Sequence, residues 1–207
     1  IKTKGKNKEY DCIIGVSGGT DSTYVAYKVK ELGLRPLAIH LDNGWNSELA
    51  VKNIEKTLTK LNIELFTHVM DWHEFKDIQL SFLKASTSDM EIPTDHAINS
   101  LLFQQAAKFG IEYIISGSNF NDEGVFPESW AYGHLDWKYV NGIHKRFGKV
   151  PIKTFPYLTL GKLYYYLFAK RIKTVAILNY MHFEKTEARK LLTEKLDWVD
   201  YGGKHNE

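Results

Sequence analysis

The sequence lacks the cysteines that cross-link small secreted proteins and the long apolar runs that anchor membrane proteins. Its 207 residues include a single cysteine, Cys12, which excludes an internal disulfide and a zinc site built from several thiolates. No apolar run approaches the roughly 20 residues that a membrane-spanning helix needs. There is also no internal repeat and no low-complexity linker. These absences predict a globular protein of the cytoplasm without a membrane span.

The sequence also has little net charge. The formal net charge is +2, which is too small to predict a nucleic-acid partner. Basic residues do cluster at 2–8, 144–146 and 170–173. Solvated surface is the simpler interpretation of such clusters. We therefore do not expect this chain to bind nucleic acid.

Apolar segments alternate along the chain with segments that have a helical pattern. The apolar segments predict buried parallel strands at 11–16, 36–41, 63–69 and 111–116. Capping residues and apolar spacing predict helices at 21–32, 47–61, 71–83 and 95–109. This order is typical of an α/β protein with a doubly wound, mostly parallel sheet and helices on both faces.

The two ends of the chain differ from this regular pattern. Residues 1–9 are polar and basic and are interpreted as a tail, and residues 10–157 hold the α/β domain. Residues 158–207 are interpreted as a small helical appendage, truncated at its end, with helices at 159–171 and 184–196. The stretch 117–134 is predicted to be a long loop, which in a compact domain is usually functional or disordered.

A glycine-rich turn joins the first predicted strand to the first predicted helix, and it reads Val16-Ser17-Gly18-Gly19-Thr20-Asp21-Ser22. The glycines allow the backbone to approach a ligand, and the amides beside a helix N-terminus attract an anion. The hydroxyl groups add further donors. A carboxylate at position 21 would repel phosphate unless Mg²⁺ lies between them, so Asp21 is the candidate metal ligand.

Two common nucleotide-binding motifs do not fit this turn. The Walker motif requires Gly-Lys followed by Ser or Thr, and the dinucleotide fingerprint requires Gly-x-Gly-x-x-Gly. The motif Ser17-Gly18-Gly19-Thr20-Asp21-Ser22 instead resembles the signature of the PP-loop, or N-type, ATP pyrophosphatases. This resemblance implies ATP and Mg²⁺ as cofactors, with the loop around the β- and γ-phosphates. It also implies that the backbone at His40, Leu41 and Asp42 holds adenine.

Two further stretches are similar to one subfamily. Asp42-Asn43-Gly44-Trp45-Asn46-Ser47 and Tyr201-Gly202-Gly203-Lys204-His205 resemble the N-acetyl sugar amidotransferases of lipopolysaccharide and surface-polysaccharide biosynthesis. The resemblance implies conversion of an acetamido group on a nucleotide-linked sugar into an acetamidino group. Ammonia would come from a glutaminase through a cyclase-like subunit. The subfamily carries a cysteine-rich segment before the first strand, and this sequence starts after that position. It also carries cysteines before the fourth helix, where this chain instead has Glu91-Ile92-Pro93-Thr94-Asp95-His96.

Several polar residues are candidates for the remaining roles. Glu91, Asp95 and Asn119, with Asp21, are the candidate catalytic residues, although helix capping would also explain Asp95. Ser118, Lys153 and Lys204 are candidates for phosphate binding, although each lysine could equally lie on the surface. Trp45, Asn46, Asn119 and Glu123 are the candidate substrate contacts, and Trp45 could instead pack under the next helix.

Other functions remain open from the sequence. One alternative is a PP-loop enzyme that modifies tRNA or a nucleotide, of the lysidine synthetase or thiolase type. The single buried Cys12 counts against sulfur transfer. The second alternative is a nucleotide-binding module without catalysis, in which Asp21 would matter little. The oligomeric state is open, and a homodimer is one possibility.

Overall fold

The computed structural model describes residues 1–119 and 133–202, and a parallel sheet forms its centre. Five strands pair in the order β3-β2-β1-β4-β5. The strands are β1 Cys12–Gly15, β2 Pro36–Asp42, β3 Glu64–Val69, β4 Tyr113–Ser116 and β5 Lys173–Ala176. The helices are α1 Lys2–Gly5, α2 Thr20–Glu31, α3 Glu48–Leu61, α4 Trp72–Lys84, α5 Ile92–Lys108, α6 Trp137–Phe147, α7 Leu160–Tyr164 and α8 Lys185–Leu196. A π-helical turn, Tyr165–Ala169, continues α7, and a 3₁₀ turn spans Ile177–Tyr180.

The predicted α/β fold with a doubly wound parallel sheet is confirmed. Helices α4, α5 and α6 pack on one face of the sheet, and α2, α3 and α8 pack on the other. Neighbouring residues of a strand point to opposite faces, so Ile13 belongs to the first core and Ile14 to the second. The strand order reverses between β1 and β4, and ligands of such sheets bind at this reversal, outside the carboxyl ends of the strands.

Three of the predicted capping residues perform that role. In each, the side-chain oxygen accepts a hydrogen bond from a backbone N–H of the first helical turn. The pairs are Ser47 with Ala50 at 3.1 Å, Asp71 with Glu74 at 2.9 Å, and Thr159 with Lys162 at 3.3 Å. Cys12 is fully buried in β1, and burial raises the pKa of its thiol to about 12, so the sulfur stays protonated and unreactive.

The helix before β4 begins earlier than the sequence pattern indicates. Helix α5 starts at Ile92, so Asp95 lies inside its first turn, and the proposed capping role of Asp95 is wrong. Glu91 occupies the N-cap, and a proline in the first turn fits the N-terminus, where a missing N–H costs little. Asp95 therefore lies within the helix, at a position that lines the adjoining cleft.

The last third of the chain contains two elements beyond those expected from the sequence. Strand β5 pairs with β4 in parallel and extends the sheet, and α6 packs against α4. Strand β5 has only four residues and lies at the sheet edge, where it needs no continuous apolar run. The assignment of 158–207 to a separate appendage stays a prediction, although β5 and α8 pack on the α/β sheet. Within 1–119 and 133–202 no helix is both long and apolar enough to cross a bilayer.

Two buried carboxylates of α4 hold the segment that follows α6. Glu74 accepts hydrogen bonds from the backbone amides of 153–155 at 2.7 to 3.0 Å and from the Thr154 hydroxyl at 2.8 Å. Asp77 accepts from the amides of residues 149 and 150 and contacts His144 Nε2 at 3.0 Å. This pair, which we call the α4 carboxylates, fixes the path of the chain from α6 to α7.

Candidate functional site

A cleft of about 280 Å³ lies at the carboxyl ends of β1, β2 and β4, where the strand order reverses. The turn after β1 forms its floor, and Ser17 and Ser22 face it. Ser116, the last residue of β4, and the following Gly117 and Ser118 form the opposite edge. A Cβ placed on Gly117 would lie 3.4 Å from the backbone of Asp21, so the glycine lets these two segments approach each other. The cleft therefore occupies the position where this fold class binds ligands.

The turn between β1 and α2 is closed by a ring of hydrogen bonds. The Gly19 amide donates to Ser17 Oγ at 3.4 Å, and the Ser22 hydroxyl donates to the Gly19 carbonyl at 3.3 Å. Because the Ser22 proton is used in this way, Ser17 is the donor in the 3.1 Å contact between the two hydroxyl groups. The ring fixes Ser17 and Ser22 at the cleft floor, and an anion bound there would take over hydroxyl protons that the ring now uses.

The far side of the turn is anchored by the end of the described chain. The Gly18 carbonyl accepts from Trp198 Nε1 at 2.9 Å and from the Tyr201 hydroxyl at 2.9 Å. Asn53 of α3 makes two hydrogen bonds with the backbone of Val199, at 2.9 and 3.0 Å. We call Trp198, Val199 and Tyr201 the C-terminal clamp. In a trans peptide the N–H points away from the C=O, so the clamp orients the Gly19 N–H on the side of Ser17 Oγ, to which it donates.

Removing one clamp donor should loosen the turn without destroying it. In the Trp198→Phe variant the indole N–H is lost and the Tyr201 hydroxyl remains, so about one neutral hydrogen bond disappears. We expect the Kd for Mg-ATP, measured by titration calorimetry, to rise about fivefold, which corresponds to about 1 kcal/mol. Trp72→Phe, at a tryptophan of α4, is the matched control. An unchanged Kd in a folded Trp198→Phe protein would show that the clamp does not order the turn.

The N-terminus of α2 adds positive potential to the same turn. Amides of the first helical turn, at residues 20–22, have no intrahelical acceptor and carry part of the positive end of the helix dipole. Asp21 also lies in this turn, and its Oδ2 is 3.7 Å from Lys185 Nζ at the start of α8. The turn therefore brings amides, hydroxyl groups, one carboxylate and one ammonium group together.

The donor set at this turn fits a phosphate-bound Mg²⁺. Within the described ranges no group of three or more His, Cys, Asp and Glu could hold a metal by itself. Mg²⁺ commonly uses one or two carboxylates and completes its coordination with substrate phosphates and water. Asp21 is the carboxylate of this turn that would hold such an ion, and it lies beside the cleft instead of among its lining residues.

A polar network after β2 ties the turn to the second edge of the cleft. His40 Nδ1 lies 3.0 Å from the Val16 carbonyl, so Nδ1 carries the proton. The Nε2 atom of His40 then accepts from Asn46 Nδ2 at 3.4 Å, and Asn46 Nδ2 also donates to Asp42 Oδ1 at 3.2 Å. His40, Leu41 and Asn46 line the cleft, whereas Asp42 also accepts from the amide of Gly44 and stabilises a turn.

Helix α5 forms one wall of the cleft. Asp95 and Asn99 lie one turn apart on the helix and both line the cleft. Ile98, Leu102 and Phe103 continue this wall with apolar side chains. The cleft thus combines a donor-rich floor, an apolar wall and a carboxylate at the edge.

The other predicted site residues lie outside the cleft lining or beyond the described part of the chain. The Trp45 side chain is 54% exposed, packs edge-on against Trp72 at 5.4 Å and donates to Gln79 at 2.9 Å. Glu91 begins α5, and the Lys153 side chain is exposed beside the α4 carboxylates. Asn119 is buried directly after Ser118, which lines the cleft. Glu123 and Lys204 fall outside the described residues, and the roles of all these side chains stay predictions.

Sequence reasoning missed the residues that support the turn from behind. Trp198 and Asn53 are 1% and 0% exposed, and neither stands in a motif that indicates a ligand. A buried tryptophan is usually interpreted as core, and here its indole N–H has a specific partner. The available signal was Tyr201, because it opens one of the two stretches that resemble the amidotransferases.

Comparisons with known proteins identify relatives of the fold. No family model and no curated protein matches this sequence. Among solved structures, a predicted subunit of a tRNA methyltransferase from Methanocaldococcus jannaschii has a TM-score of 0.50 and 19% identity, over 89% of this chain and 75% of that chain. An NH3-dependent NAD synthetase from Campylobacter jejuni has a TM-score of 0.47 and 19% identity, over 100% and 92%. An NMN synthetase from Francisella tularensis has a TM-score of 0.46 and 16% identity, over 95% and 87%. At 19% identity the likeness to the first of these structures concerns the fold alone.

Proposed function

We propose that this chain is an ATP pyrophosphatase that uses ATP to adenylate an amide oxygen and then replaces that oxygen by ammonia. The observation that carries the proposal is the turn after β1, which faces a cleft at the reversal of the strand order. Its hydroxyl groups, its amides and the N-terminus of α2 all favour an anion of high charge. Pyrophosphate is the leaving group that such a site would stabilise best.

The residues of the turn have separate tasks in this reaction. Ser17, Ser22 and the Gly19 amide bind the β- and γ-phosphates and stay fixed while charge develops on them. Asp21 would hold a Mg²⁺ ion, which would supply positive charge to offset the charge of the phosphates. The network of His40 and Asn46 fixes the backbone after β2 at the edge where adenine would lie.

The proposed reaction has two steps. In the first, the amide oxygen attacks the α-phosphorus, the bond between the α- and β-phosphates breaks, and pyrophosphate leaves. In the second, ammonia adds to the activated carbon, AMP leaves with the former amide oxygen, and a proton is lost. Asp95, at the polar end of the α5 wall, is the candidate acceptor of that proton.

The finer proposal is that the amide is the acetamido group of a nucleotide-linked N-acetyl sugar. The support is the stretch Asp42–Ser47, whose Asn43 and Asn46 line the cleft beside the turn. Amide side chains at this edge can pair with the hydroxyl and amide groups of a sugar. In this proposal ammonia comes from a glutaminase partner through a cyclase-like subunit.

A product assay with a labelled substrate tests the proposal. The protein is mixed with Mg-ATP, ammonium chloride and UDP-linked N-acetyl and diacetamido sugars whose acetamido oxygen carries a heavy isotope. We expect AMP and pyrophosphate only when a suitable sugar is present, with the heavy oxygen transferred to AMP. The sugar product should carry NH in place of oxygen.

Other products would lead to different conclusions. Formation of ADP and phosphate would contradict cleavage between the α- and β-phosphates. AMP formation that depends on tRNA instead of a sugar would support the tRNA-modifying alternative. Tight ATP binding without turnover by any substrate, even with added ammonia, would favour a nucleotide-binding module.

A further inference from the structure

Acidic residues are absent from a long stretch of the last third of the chain. Between Trp137 and Phe183 the sequence contains no Asp or Glu, although the whole chain has 25 of them. The same stretch contains nine basic residues: Lys138, Lys145, Arg146, Lys149, Lys153, Lys162, Lys170, Arg171 and Lys173. The net charge of +2 therefore conceals a strong segregation of charge. A surface built from this stretch would attract an anionic partner.

The most apolar part of this stretch lies at the protein surface. Helix α7 and the π-helical turn contact the core through Leu163 and Tyr166, which are partly buried. Five large side chains of the same segment remain exposed: Leu160 62%, Tyr164 54%, Tyr165 52%, Leu167 38% and Phe168 72%. We call these five residues the aromatic face. Within it Tyr164 and Phe168 stack with ring centres 5.7 Å apart, and exposed apolar side chains grouped in this way often mark a site of interaction.

Basic side chains flank the aromatic face. Lys170 Nζ lies 5.8 Å from the ring centre of Tyr165, a member of the face. Lys162 belongs to the same helix, and its Nζ lies 5.3 Å from the ring centre of Tyr157, outside the face. Arg171 follows the π-helical turn with φ +56°, a backbone region that glycine or asparagine normally occupies at a helix end. Arg171 is exposed and lies three residues after Phe168 in the sequence.

We infer that the aromatic face docks the protein on the surface of a bilayer that contains anionic phospholipids. Tyrosine, phenylalanine and leucine insert at the boundary between head groups and acyl chains, while flanking lysine and arginine side chains pair with lipid phosphates. The lack of carboxylates in this stretch removes the repulsion that an anionic surface would otherwise exert. The inference does not depend on the reaction in the cleft.

The composition of the aromatic face favours lipid over nucleic acid. Bases stack on flat aromatic rings and gain little from Leu160 or Leu167, whereas a bilayer accepts aliphatic and aromatic side chains alike. The face also lies next to the α5 wall of the cleft, because Tyr166 stacks on Phe103 with ring centres 6.2 Å apart. Docking would therefore place this wall of the cleft close to the membrane surface.

Co-sedimentation with vesicles tests the inference. Vesicles of one part phosphatidylglycerol to two parts phosphatidylcholine should sediment the protein, pure phosphatidylcholine should do so weakly, and added salt should release it. Phe168→Ser should lower the partition coefficient of the protein between vesicles and water at least about tenfold. Moving a phenylalanine side chain from water into an apolar environment is favourable enough to account for a factor of this size. Lys170→Gln and Arg171→Gln should each lower it about fivefold.

Controls distinguish this inference from other uses of the same surface. Leu83→Ser, at a leucine of α4 that is 56% exposed, should leave vesicle binding unchanged. The inference would be overturned if the wild-type protein sedimented with none of the vesicles. It would also be overturned if Leu83→Ser reduced binding to the vesicles as much as Phe168→Ser does. A protein that does not bind vesicles could still bind an unstructured oligoribonucleotide or associate with itself. If Phe168→Ser abolishes that RNA binding or self-association, the surface recognises RNA or a protein partner instead of lipid.

Discussion

Replacing Gly18 with alanine is expected to weaken the binding of Mg-ATP at least about a hundredfold, in line with the loss of fixed donors at a phosphate site. Gly18 has φ +82°, and a Cβ there would lie 2.6 Å from the Ala50 carbonyl oxygen and 3.1 Å from Ala50 Cα. Both contacts are with backbone, so rotation of a side chain cannot relieve them. The turn would have to move, which would break the bonds to the C-terminal clamp and misdirect the Gly19 N–H.

The measurement is the Kd of Mg-ATP by titration calorimetry, with circular dichroism to confirm that the variant is folded. Gly142→Ala is the matched control, since among the described residues none lies within 4 Å of a Cβ at that position. Gly142 lies inside α6, where alanine should stabilise the helix slightly and leave ATP binding unchanged. A folded Gly18→Ala protein that binds ATP normally would rule out the turn as the phosphate site.

Replacing Glu74 with glutamine is expected to lower the free energy of unfolding by about 3 kcal/mol, because a buried carboxylate that accepts several hydrogen bonds is lost. Every partner of Glu74 in the described structure is a donor: the amides of 153–155 and the hydroxyl of Thr154. The amide group of glutamine would direct its own N–H groups at some of these donors. Urea denaturation of the purified protein measures the change, with Glu48→Gln as the control.

The control is matched in chemistry and differs in burial. Glu48 forms an exposed ion pair with Lys52 at 3.6 Å, so Glu48→Gln should change the free energy of unfolding by less than about 0.5 kcal/mol. Equal effects of the two substitutions would show that the α4 carboxylates do not hold the segment after α6.

The same carboxylates predict how stability depends on pH. Burial by itself would raise the pKa of Glu74, but hydrogen bonds from the amides of Phe155, Thr154 and Lys153 outweigh it and lower the pKa below its ordinary value of 4.5. The unfolded state then binds the proton more readily, so this stabilisation is complete above about pH 4.5 and is lost as the pH falls through the folded-state pKa. Urea denaturation at a series of acidic pH values should show a shallower loss in Glu74→Gln than in the wild-type protein.

The fold could be predicted because its signals are local. The four central strands are apolar runs bounded by turn residues, and Ser47 and Asp71 mark helix starts by a bond within one helical turn. Strand β5 could not be predicted in this way. Its four residues pair with β4, whose residues lie about sixty positions earlier in the chain. Because β5 lies at the edge of the sheet, it does not need the apolar run that marks a buried strand.

The candidate site was predictable where the local sequence determines the backbone conformation. It was less predictable where packing between distant residues determines the position of a side chain. The turn at 16–22 follows from its glycines and from its position between a strand and a helix. The position of Trp45 depends on Trp72 and Gln79, which no spacing rule connects with it. Asp95 reaches the cleft edge because α5 begins at Ile92, and helix boundaries are among the least certain features of a sequence.

The C-terminal clamp also affects the order in which this protein matures during synthesis. The donors that hold the Gly18 carbonyl are 180 and 183 residues away along the chain. The strand and helix on either side of the turn leave the ribosome early, but the turn itself cannot be fixed until Trp198 and Tyr201 have emerged. Contacts of such long sequence separation form late in folding, because the loop that they close is costly in entropy. The turn would therefore become ordered only after both clamp residues have been synthesised, and a chain that stops before Trp198 would leave the Gly18 carbonyl without these two donors.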